Sequence, residues 1–570
     1  MTRRRLLVDA IVFGGGALLP GTAAQAALPA DYFRLLAAAL KAVEPAPQLQ
    51  SPESYLLAAV VLYSKPHPAN PDYGDERLLD LAFRFGDVAA EQSERDDSQN
   101  RQDYEWTIHF WLDAYRLLDA KLSPERRARW RKQLERNVRW FAHQTEARLD
   151  FPRYQSPYIR TSTNHYALFA STTYLAGRVF KHKEWEDLGA RAMHRLAAEE
   201  QAEGGYWAEL TDNGPATNYN YFTTTCVALY YEHSLDTAAL EALRRATDFH
   251  RYFTWPNGRP VETINGRNRY GSVSPWGSFG FSHWPEGRGY AEFLARFFTP
   301  GKVEGHNLGR IAQNALYYHE GPVAPAPQET SRAVHQMPVP AGIRRTAPWT
   351  VCLSALYDAY TRNQFMLDRQ GNLSIYHDRL GLIINGAGSK RQPELATIME
   401  KHRDGVTTVP ISGRLRMSDE LDRLGMAYHT FFVELHLPRP EPERVAFQFK
   451  VTEVGPNQMA EADLNLQLVL KAGETLETAR TKVTLGNDKV ELGPDQIGGW
   501  IRHGGWTLRV PPAARLSWPV MPFNPYRNGP ETDLRYAVGR LRVPIEVQPW
   551  PHWELGWRRQ DIEFTLEAPR

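Results

Sequence analysis

The hydrophobic period of the sequence changes once, near residue 320, and this change limits the folds that the chain can adopt. Before it, apolar residues recur with helical spacing, as in residues 103–119, where Trp106, Phe110 and Leu117 share one face. Eleven segments fit this spacing: residues 32–43, 52–63, 76–92, 103–119, 124–148, 165–180, 184–202, 218–233, 237–253, 289–298 and 305–318. Short connections without a fixed repeat favour helical hairpins closed into an α/α toroid.

Beyond the helical half, the pattern becomes that of β-strands. Residues 323–348 are rich in proline and form the predicted linker. In "DLNLQLVLKAG", Leu464, Leu466 and Leu468 then alternate with polar residues. Such runs over residues 349–570 predict an antiparallel β-sandwich or two stacked sheets. The chain is therefore predicted to be an α+β protein with a toroid at residues 27–322 and a β-sheet domain after the linker.

The first 26 residues resemble a twin-arginine export signal. Arg3, Arg4 and Arg5 precede an apolar run, and Ala24-Gln25-Ala26 fits the small-x-small rule for cleavage. The apolar run is too short to span a membrane, and no later stretch qualifies. We therefore expect residues 1–26 to be removed and the mature protein to be periplasmic or secreted.

Charge and cysteine content exclude several classes of function. The formal net charge is +1, so no global field attracts nucleic acid. The only cysteines, Cys226 and Cys352, lie far apart in apolar segments, where we expect buried free thiols. A cysteine-based metal site is excluded, and no cofactor is expected. A structural calcium or zinc ion in the β-sheet domain stays open, as does the oligomeric state.

An amide and an imidazole stand side by side at the start of a predicted helix. Asn164 and His165 precede the apolar face of residues 165–180, and Arg160 lies just upstream. A purely structural explanation is helix capping by Asn164. The functional alternative is a site that handles an oxyanion and a proton, with Arg160 binding a carboxylate.

Two further segments add groups that suit a sugar ligand. Residues 203–222, "EGGYWAELTDNGPATNYNYF", are a glycine-rich aromatic loop that opens into a helix with Tyr219 and Tyr221. Residues 262–290 form a long irregular stretch, a kind of segment that often serves as a lid or binding loop. Ordinary loops with packing tyrosines would have the same composition, so neither segment is specific by itself.

In order and spacing, these features resemble the α/α-toroid polysaccharide lyases, which include the alginate lyases and the heparinase II/III-like group. The resemblance rests on Asn164-His165, the "GGYWAE" loop and "NYNY". Residues 364–389 also resemble the start of the β domain in the heparinase-like group. The family has a toroid followed by an antiparallel β-sheet domain, and it cleaves uronic-acid-containing polysaccharides by β-elimination.

The resemblance implies a role for each matching residue. Asn164 would neutralise the uronate carboxylate, His165 would stabilise it or act as base, and Tyr219 would be general acid and base. Tyr219 is preferred to Tyr221 only because it comes first after the loop. Contact with an acidic polysaccharide is predicted for Arg160, Trp207, Glu209, Tyr221, Arg267, Arg269, Trp276, His283, Arg288 and His377. His283 and His377 are also candidates for a second catalytic imidazole.

Two other functions fit the same sequence. A glycoside hydrolase on an α/α toroid needs two carboxylates, which Glu209, Asp212, Glu262 and Glu286 can supply. A non-catalytic periplasmic polysaccharide-binding protein needs only the aromatic and charged surface. The identity of the uronate, endo or exo action, and the syn or anti route stay open.

Overall fold

The computed structural model describes residues 28–96, 106–149, 162–209, 214–267, 271–298, 303–356, 363–454, 459–548 and 557–569. The predicted export signal lies outside these residues, as do Arg160, Asp212 and Arg269. No helix in the described ranges is both long and apolar enough to cross a membrane.

The first half of the chain is helical, as predicted. Its described residues form α1 (Leu28–Leu40), α2 (Pro52–Ser64), α3 (Glu76–Arg95), α4 (Ile108–Leu118), α5 (Pro124–Glu146), α6 (Thr163–Phe180), α7 (Lys183–Ala198), α8 (Thr217–Ser234), α9 (Thr237–Tyr252), α10 (Ser278–Phe281), α11 (Pro285–Ala295) and α12 (His306–Tyr317). Each predicted segment overlaps one of these helices. The additional helix, α10, is a single turn inside the segment that we expected to be irregular.

The even-numbered helices form the inner layer of a closed ring. Each packs against the next even-numbered helix, from α2 through α4, α6, α8 and α10 to α12, and α12 packs back against α2. The odd-numbered helices pack outside them. Because consecutive helices in short-looped hairpins run in opposite directions, the inner helices all run the same way. Their N-terminal ends therefore gather at one end of the toroid.

Burial follows this division into layers. In α2, residues 52–62 are all buried, as expected of a helix enclosed on every side. In the outer helix α3, only one face is buried. The hairpin of α6 and α7 is especially close, because a Cβ at Gly177 or Gly189 would lie 2.3 or 2.5 Å from a backbone nitrogen of the other helix.

The second half is an antiparallel β-sandwich. Its strands are β1 (Arg332–Gln336), β2 (Ala341–Thr346), β3 (Trp349–Ser354), β4 (Leu373–His377), β5 (Gly381–Asn385), β6 (Ile398–His402), β7 (Val406–Thr407), β8 (Ser412–Arg416), β9 (Leu421–Ala427), β10 (Phe431–Pro438), β11 (Arg444–Val454), β12 (Met459–Leu468), β13 (Thr475–Thr478), β14 (Lys482–Thr484), β15 (Val490–Leu492), β16 (Trp500–His503), β17 (Trp506–Arg509), β18 (Arg515–Val520), β19 (Phe523–Asn524), β20 (Gly529–Pro530), β21 (Val538–Ile545) and β22 (Trp557–Glu567). A short helix, α13 (Pro494–Ile497), lies between β15 and β16.

Two sheets share the core of this domain. One has the order β1-β2-β3-β4-β5-β12-β21-β18-β15, with β6 beside β12 and β7 beside β6. The other has the order β14-β13-β16-β17-β22-β11-β10-β9-β8. The predicted alternation is confirmed, since Leu464, Leu466 and Leu468 all point into the core between the sheets.

The predicted linker is not a linker over its whole length. Strands β1 and β2 both fall inside residues 323–348 and pair in register, for example Val334 with Arg344. Proline-rich composition concealed them, because the prolines occupy the connections rather than the strands. The sheet therefore begins before the predicted boundary at residue 349.

The toroid and the sandwich are joined by an apolar cluster. Trp255 stacks on Tyr376 with ring centroids 5.3 Å apart, and the cluster around them contains Cys352. Both Cys226 and Cys352 are buried free thiols, which confirms the expectation from sequence. Thr263 also bonds Ser374 across the interface. This contact fixes the segment after residue 262 against the sheet.

Glu53, in the first turn of α2, makes the stability of the fold depend on pH. It is 2% exposed, and burial raises the pKa of its carboxyl from 4.5 to about 7. The unfolded chain therefore loses this proton at lower pH than the folded chain, and stability falls as the pH rises between these two pKa values. We expect Glu53→Gln to increase the free energy of unfolding by about 3 kcal/mol near pH 8 and hardly at all near pH 4.

Denaturant unfolding of wild type and Glu53→Gln at the two pH values measures this difference. An equal effect at both pH values would contradict the assignment of Glu53 as the titrating group.

Candidate functional site

The first turns of α6 and α8 carry polar residues at matching positions. Asn164 and His165 are the second and third residues of α6, and Asn218 and Tyr219 are the second and third residues of α8. Both helices belong to the inner layer, so these side chains gather at the same end of the toroid. The N-terminal ends of helices carry a partial positive charge, which favours an anionic ligand.

The glycine-rich loop before α8 is held against both helix starts. Thr163 Oγ1 donates to the carbonyl of Ala208 at 2.8 Å. The side-chain amide of Asn220 accepts from the backbone nitrogen of Trp207 at 2.8 Å and donates to its carbonyl at 2.7 Å. Gly205 has a φ of 84°, a conformation that other residues resist. The indole of Trp207 itself is buried in the helical core, so its predicted contact with substrate is corrected to a packing role.

Glu209 connects the start of α6 electrostatically with Arg267. It is 5% exposed, and its Oε1 lies 3.2 Å from Nη1 of Arg267. Burial raises the pKa of the Glu209 carboxyl, while Arg267, His165 and a hydrogen bond from Ser162 act in the opposite direction. One carboxylate therefore lies beside groups from the start of α6 and from the segment that follows residue 262.

Arg267 brings this charge network to Tyr219. Its guanidinium carbon lies 4.5 Å from the centre of the Tyr219 ring and 5.1 Å from the ring of Phe365. The backbone nitrogen of Leu367 donates to the carbonyl of Gly266 at 3.0 Å, which holds the β-sheet domain next to Arg267. A cation therefore lies against the face of the Tyr219 ring.

Asn164 does not cap its helix. The N-cap of α6 is Ser162, and Asn164 lies within the first turn. Its Oδ1 accepts a hydrogen bond from Ser162 Oγ, whereas its Nδ2 is buried without a hydrogen-bond partner. An unsatisfied buried donor is costly, so the amide is a group that a ligand can satisfy.

An aromatic wall extends from His165 toward α12. Trp106 meets the His165 ring edge-on at 5.0 Å and stacks on Trp276 at 6.3 Å. Trp276 in turn packs against Phe222 at 4.7 Å. Half-buried indoles of this kind present apolar faces that suit the faces of sugar rings.

A half-buried cation lies at the end of this wall. The guanidinium carbon of Arg310 is 3.2 Å from the centre of the Trp276 ring, and its Nη1 donates to Asn307 at 2.6 Å. No ion pair among the described residues includes Arg310, and burial lowers the pKa of its guanidinium well below the ordinary value. The indole nitrogen of Trp276 and Nδ1 of the nearby His109 are buried without hydrogen-bond partners. The unpartnered indole N–H of Trp276 beside the Arg310 guanidinium indicates a place for an anionic group.

A cleft between the toroid and the sandwich opens beside Arg267. Its volume is about 420 Å³, and Arg259, Ser272, Tyr376, Asn385 and Tyr536 also line it. This volume lies in the usual range of ligand pockets.

The structure separates the roles of the two tyrosines of α8. Tyr221 is 1% exposed, stacks on His250 at 3.9 Å, and bonds Tyr290 and Thr254 through its hydroxyl. It belongs to the core, which corrects its prediction as a substrate contact. Tyr219 is only partly buried and faces Arg267.

Two other predicted contacts are also structural. The guanidinium of Arg288 donates to the carbonyls of Ser282 and Pro322, both at 2.7 Å. His377 is 1% exposed at the end of β4, packs edge-on against Trp349, and accepts from backbone nitrogens of the following turn. Neither side chain is available to a sugar.

His283 lies at the opposite end of the toroid. It approaches Glu232, which is in the last turn of α8 and about 20 Å along that helix from Tyr219. The prediction that His283 binds substrate or serves as a second catalytic imidazole is therefore corrected.

The carboxylates that a hydrolase would use are engaged elsewhere. Glu262 accepts from the indole of Trp255 at 2.7 Å and from Ser374. Glu286 lies in the first turn of α11 and faces Arg244 at 3.5 Å. Of the predicted carboxylates in the described ranges, Glu209 is the one that lies against His165 and Arg267.

Sequence reasoning missed Ser162, Trp106 and Arg310 as site residues. Trp106 was assigned to a helix face, although it stands just before α4 and so at the same end of the ring as His165. Trp106 precedes α4 by two residues and Arg310 is the fifth residue of α12, so a search within five positions of each inner-helix start would have found both.

No protein-family model and no curated protein matches this sequence. Among solved structures, the fold is similar to that of a mutant of the heparan sulfate lyase HepC from Pedobacter heparinus, with 9% identity and a TM-score of 0.50 over 91% of this chain and 76% of that one. The chondroitin AC lyase of Streptomyces coelicolor A3 in complex with chondroitin sulphate overlaps 97% of this chain and 81% of its own, with 11% identity and a TM-score of 0.44. The resemblance to α/α-toroid polysaccharide lyases is thus confirmed at the level of the fold.

Proposed function

We propose that this protein is a lyase that cleaves a uronic-acid-containing polysaccharide by β-elimination. One observation carries the proposal: Tyr219 lies against Arg267, which pairs with Glu209 beside Ser162 and His165 at the joined starts of α6 and α8. The shared fold with a heparan sulfate lyase supports it.

The first task of the site is to stabilise the charge that develops on the uronate carboxylate. Removal of the C5 proton places negative charge on the carboxylate oxygens. The unpartnered Nδ2 of Asn164 and the imidazole of His165 are the proposed donors to that charge. Because Asn164 is 1% exposed, a sugar carboxylate reaches this amide only after a neighbouring group moves aside.

The second task is proton transfer by Tyr219. The deprotonated hydroxyl of Tyr219, whose ring lies against the Arg267 guanidinium, accepts the C5 proton. The C5–H electron pair forms the C4=C5 double bond, the C4–O4 bond breaks, and O4 takes the proton from Tyr219. The products are an unsaturated uronate and a free hydroxyl end, and the tyrosine returns to its starting state. Glu209 keeps the guanidinium in place through its 3.2 Å ion pair.

The most direct test offers a panel of acidic polysaccharides to the purified mature chain. Elimination gives an unsaturated sugar that absorbs in the near ultraviolet, whereas hydrolysis gives reducing ends without that absorbance. New absorbance together with new chain ends supports the proposal. Chain ends without absorbance would show a hydrolase, and binding without new ends would show a polysaccharide-binding protein.

Glu209→Gln discriminates between a lyase and a hydrolase. In a lyase, Glu209 only positions Arg267, so we expect activity to fall about tenfold and not to vanish. In a hydrolase, a catalytic carboxylate is lost and activity is abolished. Initial rates on the best substrate of the panel measure the difference, and loss of all detectable turnover would contradict the role given to Glu209.

Arg310→Gln tests the anionic subsite beside Trp276. A charge-assisted hydrogen bond to a sugar carboxylate or sulfate contributes about 1.5–3 kcal/mol, so we expect KM to rise about tenfold or more with little change in kcat. We expect kcat to stay constant because Arg310 lies away from Tyr219 along the aromatic wall. A fall in kcat with an unchanged KM would contradict this assignment.

We further propose that the chain is exported, since residues 1–26 resemble a twin-arginine signal. Cell fractionation and N-terminal sequencing of the mature protein test this. Export predicts a periplasmic or secreted protein that begins at residue 27.

A further inference from the structure

Three potential metal ligands lie together at the end of the toroid opposite to the candidate active site. Glu232 is in the last turn of α8, His283 lies between α10 and α11, and His319 follows α12 by two residues. One ligand atom from each residue lies within 4.8 Å of those of the other two. Residues distant in sequence are thus brought to one point by the closure of the ring.

The spacing of these atoms suits a single small cation. Nε2 of His319 lies 2.7 Å from Oε1 of Glu232, and Nε2 of His283 lies 3.5 Å from the same oxygen. Ligand atoms around one tetrahedral zinc ion, at about 2.0–2.2 Å from the metal, are about 3.3 Å apart. The observed separations lie on both sides of this value, so small side-chain rotations would complete the geometry.

An unsatisfied nitrogen marks the centre of the group. The His283 side chain is 9% exposed, and its buried Nε2 has no hydrogen bond, because its approach to Glu232 lacks hydrogen-bond geometry. Tyr231 packs edge-on against the ring at 5.1 Å and holds its orientation. A buried imidazole nitrogen without a partner is rare in proteins, and a metal ion would satisfy it.

Two cationic side chains and the C-terminal ends of two helices lie near the three potential metal ligands. Lys65 lies near Glu232 and Arg288 near His283, but both donate hydrogen bonds to backbone carbonyls. Glu232 is in the last turn of α8 and His319 lies just beyond α12, and the partial negative charge at helix C-terminal ends favours a cation. His319 is 42% exposed in its side chain and gives an ion access from solvent.

We propose that Glu232, His283 and His319 bind a divalent transition-metal ion, zinc being the ion that two imidazoles and one carboxylate suit best. The fourth position would hold water. The ion would join α8, the connection between α10 and α11, and the segment after α12. The backbone nitrogen of His319 already donates to Ser282 Oγ at 3.0 Å, so the ion would reinforce an existing closure of the ring.

Titration of the untagged, chelator-treated protein with zinc chloride tests this site. Isothermal titration calorimetry should show one ion per chain, and thermal unfolding should show a Tm that rises by several degrees with added zinc. Cobalt(II) replaces zinc as a spectroscopic probe, and its visible absorption should indicate a four-coordinate site of nitrogen and oxygen ligands.

His319→Ala and Glu232→Gln should each weaken zinc binding at least about tenfold and remove the rise in Tm. His194→Ala is the matched control, because His194 pairs with Asp236 at 2.8 Å in another His–carboxylate contact. This control should bind zinc like wild type. Absence of stoichiometric binding, or binding that both ligand variants retain, would overturn the proposal. These measurements do not depend on lyase activity, so they test the metal site independently of the proposed function.

Discussion

Tyr219→Phe is expected to lower kcat by about 10²–10⁴-fold while the protein stays folded. The substitution removes one hydroxyl, and in the proposed mechanism that hydroxyl accepts the C5 proton and delivers it to the leaving oxygen. Tyr219 is partly buried against Arg267, so the phenyl ring of the variant keeps the same packing and cation contact. Near-ultraviolet absorbance measures kcat, and thermal unfolding confirms the fold.

Tyr221→Phe is the matched control on the same helix. Its hydroxyl bonds Tyr290 and Thr254 in the core, so its loss should lower the free energy of unfolding by about 1–3 kcal/mol and leave kcat per folded molecule unchanged. If Tyr221→Phe abolished turnover and Tyr219→Phe did not, the assignment of the catalytic tyrosine would be reversed.

Asn164→Ala is expected to lower kcat by about 10²–10³-fold. Loss of one preorganised donor to an oxyanion raises the barrier by about 3–4 kcal/mol. The free energy of unfolding should change by less than about 1 kcal/mol, because Asn164 is not the N-cap of α6 and alanine is a better helix former. Paired measurements of rate and denaturant unfolding separate the two effects.

Asn137→Ala provides the comparison for this variant. Asn137 is a fully buried helical amide whose Nδ2 donates to Ser93 and to the carbonyl of Gln133, away from the candidate site. Its loss should destabilise the fold without changing kcat. A large loss of stability in Asn164→Ala, with kcat preserved, would mean that Asn164 is a structural amide. This result would contradict its proposed role as a donor to the uronate carboxylate.

The tyrosines of α8 show what a sequence pattern leaves undecided. Tyr219 and Tyr221 are two residues apart, and two steps of about 100° place them on different faces of the helix. Only the packing of the inner layer determines that Tyr221 faces Tyr290 and that Tyr219 faces Arg267. The order of the two residues after the loop predicted Tyr219, but it contained no information about which face is buried.

His283 and Arg288 were wrongly assigned to the site because they are close in sequence to residues that belong to it. Both lie in the irregular segment that also contains Arg267 and Trp276, so sequence proximity suggested one site. The chain crosses the toroid within this segment, since Trp276 precedes the inner helix α10 and His283 follows it. Residues a few positions apart therefore lie at opposite ends of the ring.

By itself, the sequence determined the fold class, the order of helices and strands, and the alternation that places Leu464 in the sandwich core. These properties follow from local periodicity, which each segment carries alone. The tertiary structure alone decided that Glu209 meets Arg267 across 58 positions, that Arg310 joins the wall begun by Trp106, and that Glu232 meets two histidines. The reason is that ring closure sets which helix ends meet, and contacts between helix ends leave no periodic trace in the sequence.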